Sequence, residues 1–183
     1  AGLMVKSLLN LIKVDPGFNP KNLLSLEYRL PRNKYPTREQ QSQFHAEVVR
    51  RVSQVPGVIS AASTRAVPFG GNGQSSKFVV VGRPEPAPAD QPLALTTAVS
   101  PEFFSTMMIP LLKGRVLETR DGAGAPPVLV INRTMAERFW PGEDPLGKQV
   151  KFPENKMTAT VVGVVGDIKQ FDLDDPAEPQ AYA

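Results

Sequence analysis

Apolar residues keep a helical period at the start of the chain. Leu3, Met4, Val5, Leu8, Leu9, Leu11, Ile12 and Val14 leave Lys6, Asn10 and Lys13 on one polar stripe at i, i+4 and i+7. The run is shorter than the ~20 apolar residues that span a bilayer. Two readings stand: an amphipathic helix packed on a domain, or the outer end of a transmembrane helix. Asp15-Pro16-Gly17-Phe18-Asn19-Pro20 stops it with turn formers. The period then drops to two. Leu24, Leu26, Tyr28 and Leu30 share one face of Asn22 to Leu30, which predicts a half-buried strand. Thr37 and Gln40 have capping-box spacing, and Phe44, Val48, Val52 and Val55 continue as a helical stripe until Pro56-Gly57. Val58 to Val67 predicts a second strand, closing a β-α-β unit with a right-handed crossover.

Beyond Pro68 the elements shorten. Gly70-Gly71-Asn72-Gly73 is a loop, and Phe78 to Val81 and Leu93 to Val99 predict strands on either side of a proline-rich connection, Arg83 to Pro92. Ser100-Pro101-Glu102 has the makings of a helix start, with Phe103, Phe104, Met107 and Met108 as its buried side. Val128 to Ile131 predicts a buried strand. Asn132 then caps a helix whose inner face is Met135, Ala136 and Phe139, ended by Pro141-Gly142. Gln149 to Phe152 and Thr158 to Val165 are strands, with Gly163 marking a bulge or a close backbone approach. Asp172 to Pro179 is an acidic surface loop.

Composition narrows the chemistry. With 183 residues, 41% hydrophobic and 21% charged, the chain has the balance of an ordinary globular domain or two small lobes. It has no cysteine, which excludes disulfides and thiolate metal sites. Nineteen prolines punctuate many short elements and exclude a long coiled coil. The net charge of +3 is mild. Arg29, Arg32, Lys34, Arg38, Arg50 and Arg51 are loosely grouped without aromatic interleaving, so no nucleic-acid partner is expected. The chain opens on Ala1 without a signal-peptide pattern and reads as a segment of a longer polypeptide.

No candidate site gathers strength. His45 is the sole histidine, on the flank of a helical stripe, with no triad or second imidazole. Gly71-Asn72-Gly73 leads into a strand instead of a helix and lacks a Walker lysine, so no nucleotide is expected on this chain. Asp172, Asp174 and Asp175 lack the glycine and glutamate of a calcium loop. Glu118 and Asp121 are two carboxylates with no further mark of an acid and base pair. Trp140 reads as a core aromatic at a helix end, or as a contact anchor. The expected tally is no catalytic, cofactor or metal residue.

Several weak motifs fall in a distinctive order: Val14 to Phe18, Leu30-Pro31, Tyr35-Pro36, Pro56-Gly57-Val58, Val99 to Phe104, Ile109 to Arg115, Val130-Ile131-Asn132, Phe139 to Lys148 and Val161 to Asp167. Together they resemble the MacB-like periplasmic core domain of ABC-transporter permeases, in the form found in duplicated acidobacterial permeases of the FtsX-like superfamily. The resemblance implies an α+β fold of two lobes. Residues 1–14 would be the end of a transmembrane or stalk helix, 21–68 the first β-α-β unit of a porter-like lobe, and 69–183 a sabre-like mixed α/β lobe. A second β-α-β unit is not found after Val165, so half of the porter sheet is expected to lack its partner and to pair with another copy.

The resemblance also implies a role without catalysis. The domain would stand on the periplasmic face of the inner membrane, anchored through the rest of the permease, and pass transmembrane-helix motion on to export or efflux of a substrate. Its partners would be the transmembrane part of the same permease, an ATPase on the cytoplasmic side, a periplasmic adaptor and a second copy. Two readings compete. One is a periplasmic ligand- or peptide-binding module with a pocket between the lobes and Arg83 to Pro92 as a lid. The other is a small hydrolase centred on His45.

Overall fold

The computed structural model describes residues 14–183 apart from Arg32, Asn72 and Ala123. The helix expected over residues 1–13 lies outside the described residues. Among the described residues there are three α-helices and eight strands, beginning with α1 (Arg38–Val52), β1 (Gln74–Lys77), β2 (Val79–Val80) and β3 (Leu93–Thr97). Next come α2 (Phe103–Thr106), β4 (Leu111–Gly114), β5 (Val128–Asn132) and α3 (Arg133–Phe139), then β6 (Gln149–Phe152), β7 (Met157–Val165) and β8 (Gln180–Tyr182). The fold is mixed α and β, as expected.

All eight strands belong to one sheet, in the order β1-β3-β8-β5-β7-β6-β2. β7 organises it. One edge pairs in parallel with β5. The other is shared by two antiparallel strands, β6 against Met157 to Thr160 and β4 against Gly163 to Val165. β8 lies between β5 and β3, antiparallel to the first and parallel to the second. The two ends of this order, β1 and β2, are consecutive in the chain with only Phe78 between them. The sheet therefore curls until its ends meet at Phe78, whose ring is wholly buried. Such closure removes the two end edges of this order and leaves β4, paired with β7 alone among the described strands, as the exposed edge.

The register shifts at the β5–β7 pair. Leu129 faces Val161, but Val130 faces Gly163, so Val162 is an extra residue in β7. Gly163 also has the Arg115 carbonyl lying where a Cβ would stand. Both expectations for this glycine, bulge and close approach, are met at once.

Two cores flank the sheet. Phe78, Leu129, Ile131, Met135, Trp140, Val150, Phe152 and Val161 make the first, beneath α3. Phe103, Phe104, Met107, Leu117, Val130, Val165, Ile168 and Tyr182 make the second, on the opposite side. β5 feeds alternate side chains to both, which explains its unbroken apolar run. Met108 departs from expectation: it has a φ of 56° and is exposed. Ser100 departs too, because its hydroxyl accepts the Ser63 amide at 3.0 Å and does not cap α2.

The expected β-α-β unit is only partly present. α1 forms with the predicted capping box: Thr37 Oγ1 accepts the Gln40 amide, and Gln40 Oε1 accepts the Thr37 amide, each at 3.3 Å. Neither flanking strand forms as expected. Residues 23–30 have no strand assignment, and Val58 to Val67 is reduced to one antiparallel bridge, Thr64 with Val99. The physical reason is the lack of a partner: a lone extended segment leaves its backbone to water, and pairing is what stabilises it.

Candidate interaction surface

The unpaired segments leave large apolar side chains in solvent. Leu24 is 94% exposed, Leu26 83%, and Ile59 fully exposed. Val52 and Val55, from the expected inner stripe of α1 and its extension, are also exposed. What holds this region is local. Tyr28 and Tyr35 pack against Phe44 with ring centroids 5.8 and 4.9 Å apart. Gln41 Nε2 donates to the Tyr35 carbonyl at 2.9 Å. Glu27 and Arg29 lie 3.7 Å apart on the same segment. Among the described residues, no backbone hydrogen bond joins residues 24–30 to another strand.

His45 sits at the edge of this cluster. Its Nδ1 is 2.6 Å from the Tyr28 hydroxyl, and partial burial lowers its pKa while raising that of Tyr28. The pair links the 23–30 segment to α1. The basic group is not one patch. Arg50 and Arg51 both bind Glu47, at 2.7 and 2.6 Å, and these bonds draw its carboxyl down to about 2. Arg32 lies outside the described residues.

Glu118 and Asp121 come together around Arg115. Asp121 holds Arg115 through two bonds of 2.6 and 2.8 Å and accepts the Glu118 amide at 2.8 Å. The Arg115 guanidinium lowers its pKa. Glu118 pairs with Arg120 at 2.7 Å. Asp172, Asp174 and Asp175 lie on the exposed loop before β8. Gly73 leads into β1 and is packed beneath the Phe171 ring. Among the described residues, no group of three or more histidines and carboxylates could hold a metal ion. Trp140 is almost wholly buried in the first core, as the core reading had it.

A buried polar knot escaped sequence reasoning. Asn132 Oδ1 accepts the Met135 amide at 3.0 Å, capping α3, and the Gln180 amide at 2.9 Å. Its Nδ2 donates to the Glu178 carbonyl at 2.8 Å. Gln180 Nε2 reaches the Ile168 carbonyl, and the Tyr182 hydroxyl donates to Gln180 Oε1 at 2.5 Å. Burial raises the Tyr182 pKa, which keeps that hydroxyl a donor. The cap was legible at Asn132; its second use, on β8, had no local signal. A cavity beside this knot measures about 10 Å³, room for about one water.

The molecule is thus a packed sheet with an arm whose Leu24, Leu26 and Ile59 side chains stand in solvent. The chain belongs to the family of the MacB-like periplasmic core domain, which it matches over residues 6–182. The periplasmic region of MacB from Actinobacillus actinomycetemcomitans has a similar fold, with a TM-score of 0.53 at 21% identity over 76% of this chain and 54% of that one. The extracellular domain of the noncanonic ABC-type transporter YknZ from Gram-positive bacteria gives 0.51 at 16% identity, over 76% of this chain and 61% of that one. The chain spans little more than half the length of these structures. No curated protein matches it. Among the described residues, no helix is long and apolar enough to cross a membrane.

Proposed function

We propose that this chain is a noncatalytic domain of an ABC-transporter permease, held at the periplasmic face of the inner membrane, that passes transmembrane-helix motion on to export or efflux of a substrate. The observation that carries this reading is the family match over residues 6–182, supported by the likeness in fold to the MacB and YknZ domains. Its partners on this reading are the membrane part of the permease, an ATPase on the cytoplasmic side and a periplasmic adaptor. Residues 1–14 carry the motion. Replacing them with a flexible Gly/Ser linker should abolish transport while ATP hydrolysis continues; normal transport would sink the reading.

Residues 21–68 on this reading are a porter-like unit whose strands await a partner, and 69–183 a sabre-like lobe. For the 183-residue chain by itself, a second copy is the expected partner. Leu26-Glu27-Tyr28-Arg29-Leu30 reads symmetrically about Tyr28. Antiparallel pairing of two copies there would set Glu27 opposite Arg29 and Leu26 opposite Leu30, an isologous contact. Light scattering should find dimers that Glu27→Arg dissociates and Glu27→Arg with Arg29→Glu restores. A strictly monomeric wild type would remove this part of the reading.

A further inference from the structure

Most of residues 14–61 touches the sheet lightly, but Asp15 to Asn19 and Leu23 are exceptions. The Pro16 carbonyl accepts the Lys169 amide at 2.9 Å, and the Asn19 amide donates to the Met107 carbonyl at 3.0 Å. Asn19 Nδ2 reaches Met108 Sδ at 3.2 Å. Phe18 packs against the second core, with its ring centroid 6.0 Å from that of Phe69. Asp15 Oδ1 accepts the Gly17 amide at 2.8 Å and shapes the turn.

Gly17 sets the fit. Its φ is 84°, in the left-handed region that side chains disfavour. A Cβ there would collide with the Asp167 carbonyl oxygen and with the backbone of Ile168. Asp167 is also anchored on its other side. Its carboxylate accepts the Thr134 amide at 2.9 Å and Arg133 Nε at 3.2 Å. One residue thus meets the arm through its backbone and the start of α3 through its side chain. α3 in turn begins where β5 ends, at the centre of the sheet.

We propose that Gly17, seated against Asp167, is the joint through which force applied at the start of the chain enters the sheet. This rests on the reading of the domain as a transmitter of motion, and it deepens that reading by naming the residue. Leu23 still rests on the second core, and residues 24–61 then form a side branch outside the line of force. Gly17 is a positioning residue whose lack of a side chain permits the close seat.

Single-molecule pulling tests the joint on the chain itself. The absence of cysteine allows unique handles through Val14→Cys and Ala183→Cys. The wild type should resist until the sheet unfolds, with no earlier release. Gly17→Val should first release the arm at low force, adding roughly 150 Å, the extended length of chain between Gly17 and the Ser63–Ser100 contact. Hydrogen exchange gives a second readout: in Gly17→Val the Lys169 amide should lose ~100-fold in protection while Ile131 keeps its own. Early release of the arm in the wild type, or identical traces for both proteins, would overturn the proposal. The wild-type trace decides the order of release even if Gly17→Val fails to fold. The linker experiment on residues 1–14 reads transport and pulling reads the joint, so either can fail while the other stands.

Discussion

Residues 23–30 and 157–165 carry similar patterns and meet different fates. Leu24, Leu26 and Tyr28 alternate along the first; Ala159 and Val161 alternate at the start of the second. The second becomes β7, paired on both edges and buried on both faces. The first stays unpaired with its leucines in water. Alternation supplies a face, but strand formation needs a neighbouring backbone. The same contrast separates the two helix caps. Thr37 caps a helix held mainly by its own flanking residues; Asn132 caps one that rests on the first core and grips β8 as well.

The largest test of this contrast is at the closure of the sheet. Phe78→Ala should cost about 3–5 kcal/mol, a fall in melting temperature of roughly 10 °C for a domain of this size. Leu26→Ser should change stability by less than about 0.5 kcal/mol. Similar costs for both, read by calorimetry, would mean that the arm belongs to the same cooperative unit. Next come the caps. Asn132→Ala should cost about 2–3 kcal/mol, because it removes a cap and leaves the buried Gln180 amide without its acceptor. Thr37→Ala should cost about 1 kcal/mol, confined to α1, lowering helical ellipticity without moving the main melting transition. A shift of that transition by Thr37→Ala would join the two regions.

Acid separates the regions more gently. Arg115 lowers the Asp121 pKa in the folded chain. Its stabilisation is therefore complete above the unfolded carboxyl value of about 3.9 and is lost as pH falls through the lower, folded value. Asp121→Asn should remove that part of the acid limb in urea titrations, and an unchanged limb would deny Asp121 the role. The smallest effect is at His45. Burial favours its neutral form, so its contribution holds above about pH 6.5 and fades as pH falls through the lower folded pKa. Proton NMR should find that depressed pKa restored to the ordinary value in Tyr28→Ala; no change would show that Tyr28 does not shield the ring.

Much of the body was legible in local chemistry. The Thr37 capping box, the Asn132 cap, the inward Met135, the buried Trp140 and the irregularity at Gly163 all follow from residue type and spacing. What was not legible depended on distant chain. β4 and β8 are too short to show a period, and Gln180 to Tyr182 are recognised as a strand only when β3 and β5 stand on either side. The strand expected at 22–30 failed for the converse reason: its pattern was right and its partner absent. At the proposed joint, Asp15-Pro16-Gly17 announced a turn, but the seat on Asp167, 150 positions away, had no counterpart in the pattern.

The place of β8 bears on how the domain is made. Residues 180–182 are the last of the sheet to be synthesised, yet they occupy its interior between β3 and β5. Until they emerge, the β1–β3 hairpin has no lateral connection to β5 on this side. Chain crossing a membrane in an extended form, amino end first, would reach the far side with these apolar strands uncovered until residues 180–182 followed. The sheet would then form late and from distant contacts, which are slow to close, leaving a period in which a chaperone or a second nascent copy could bind the same surfaces.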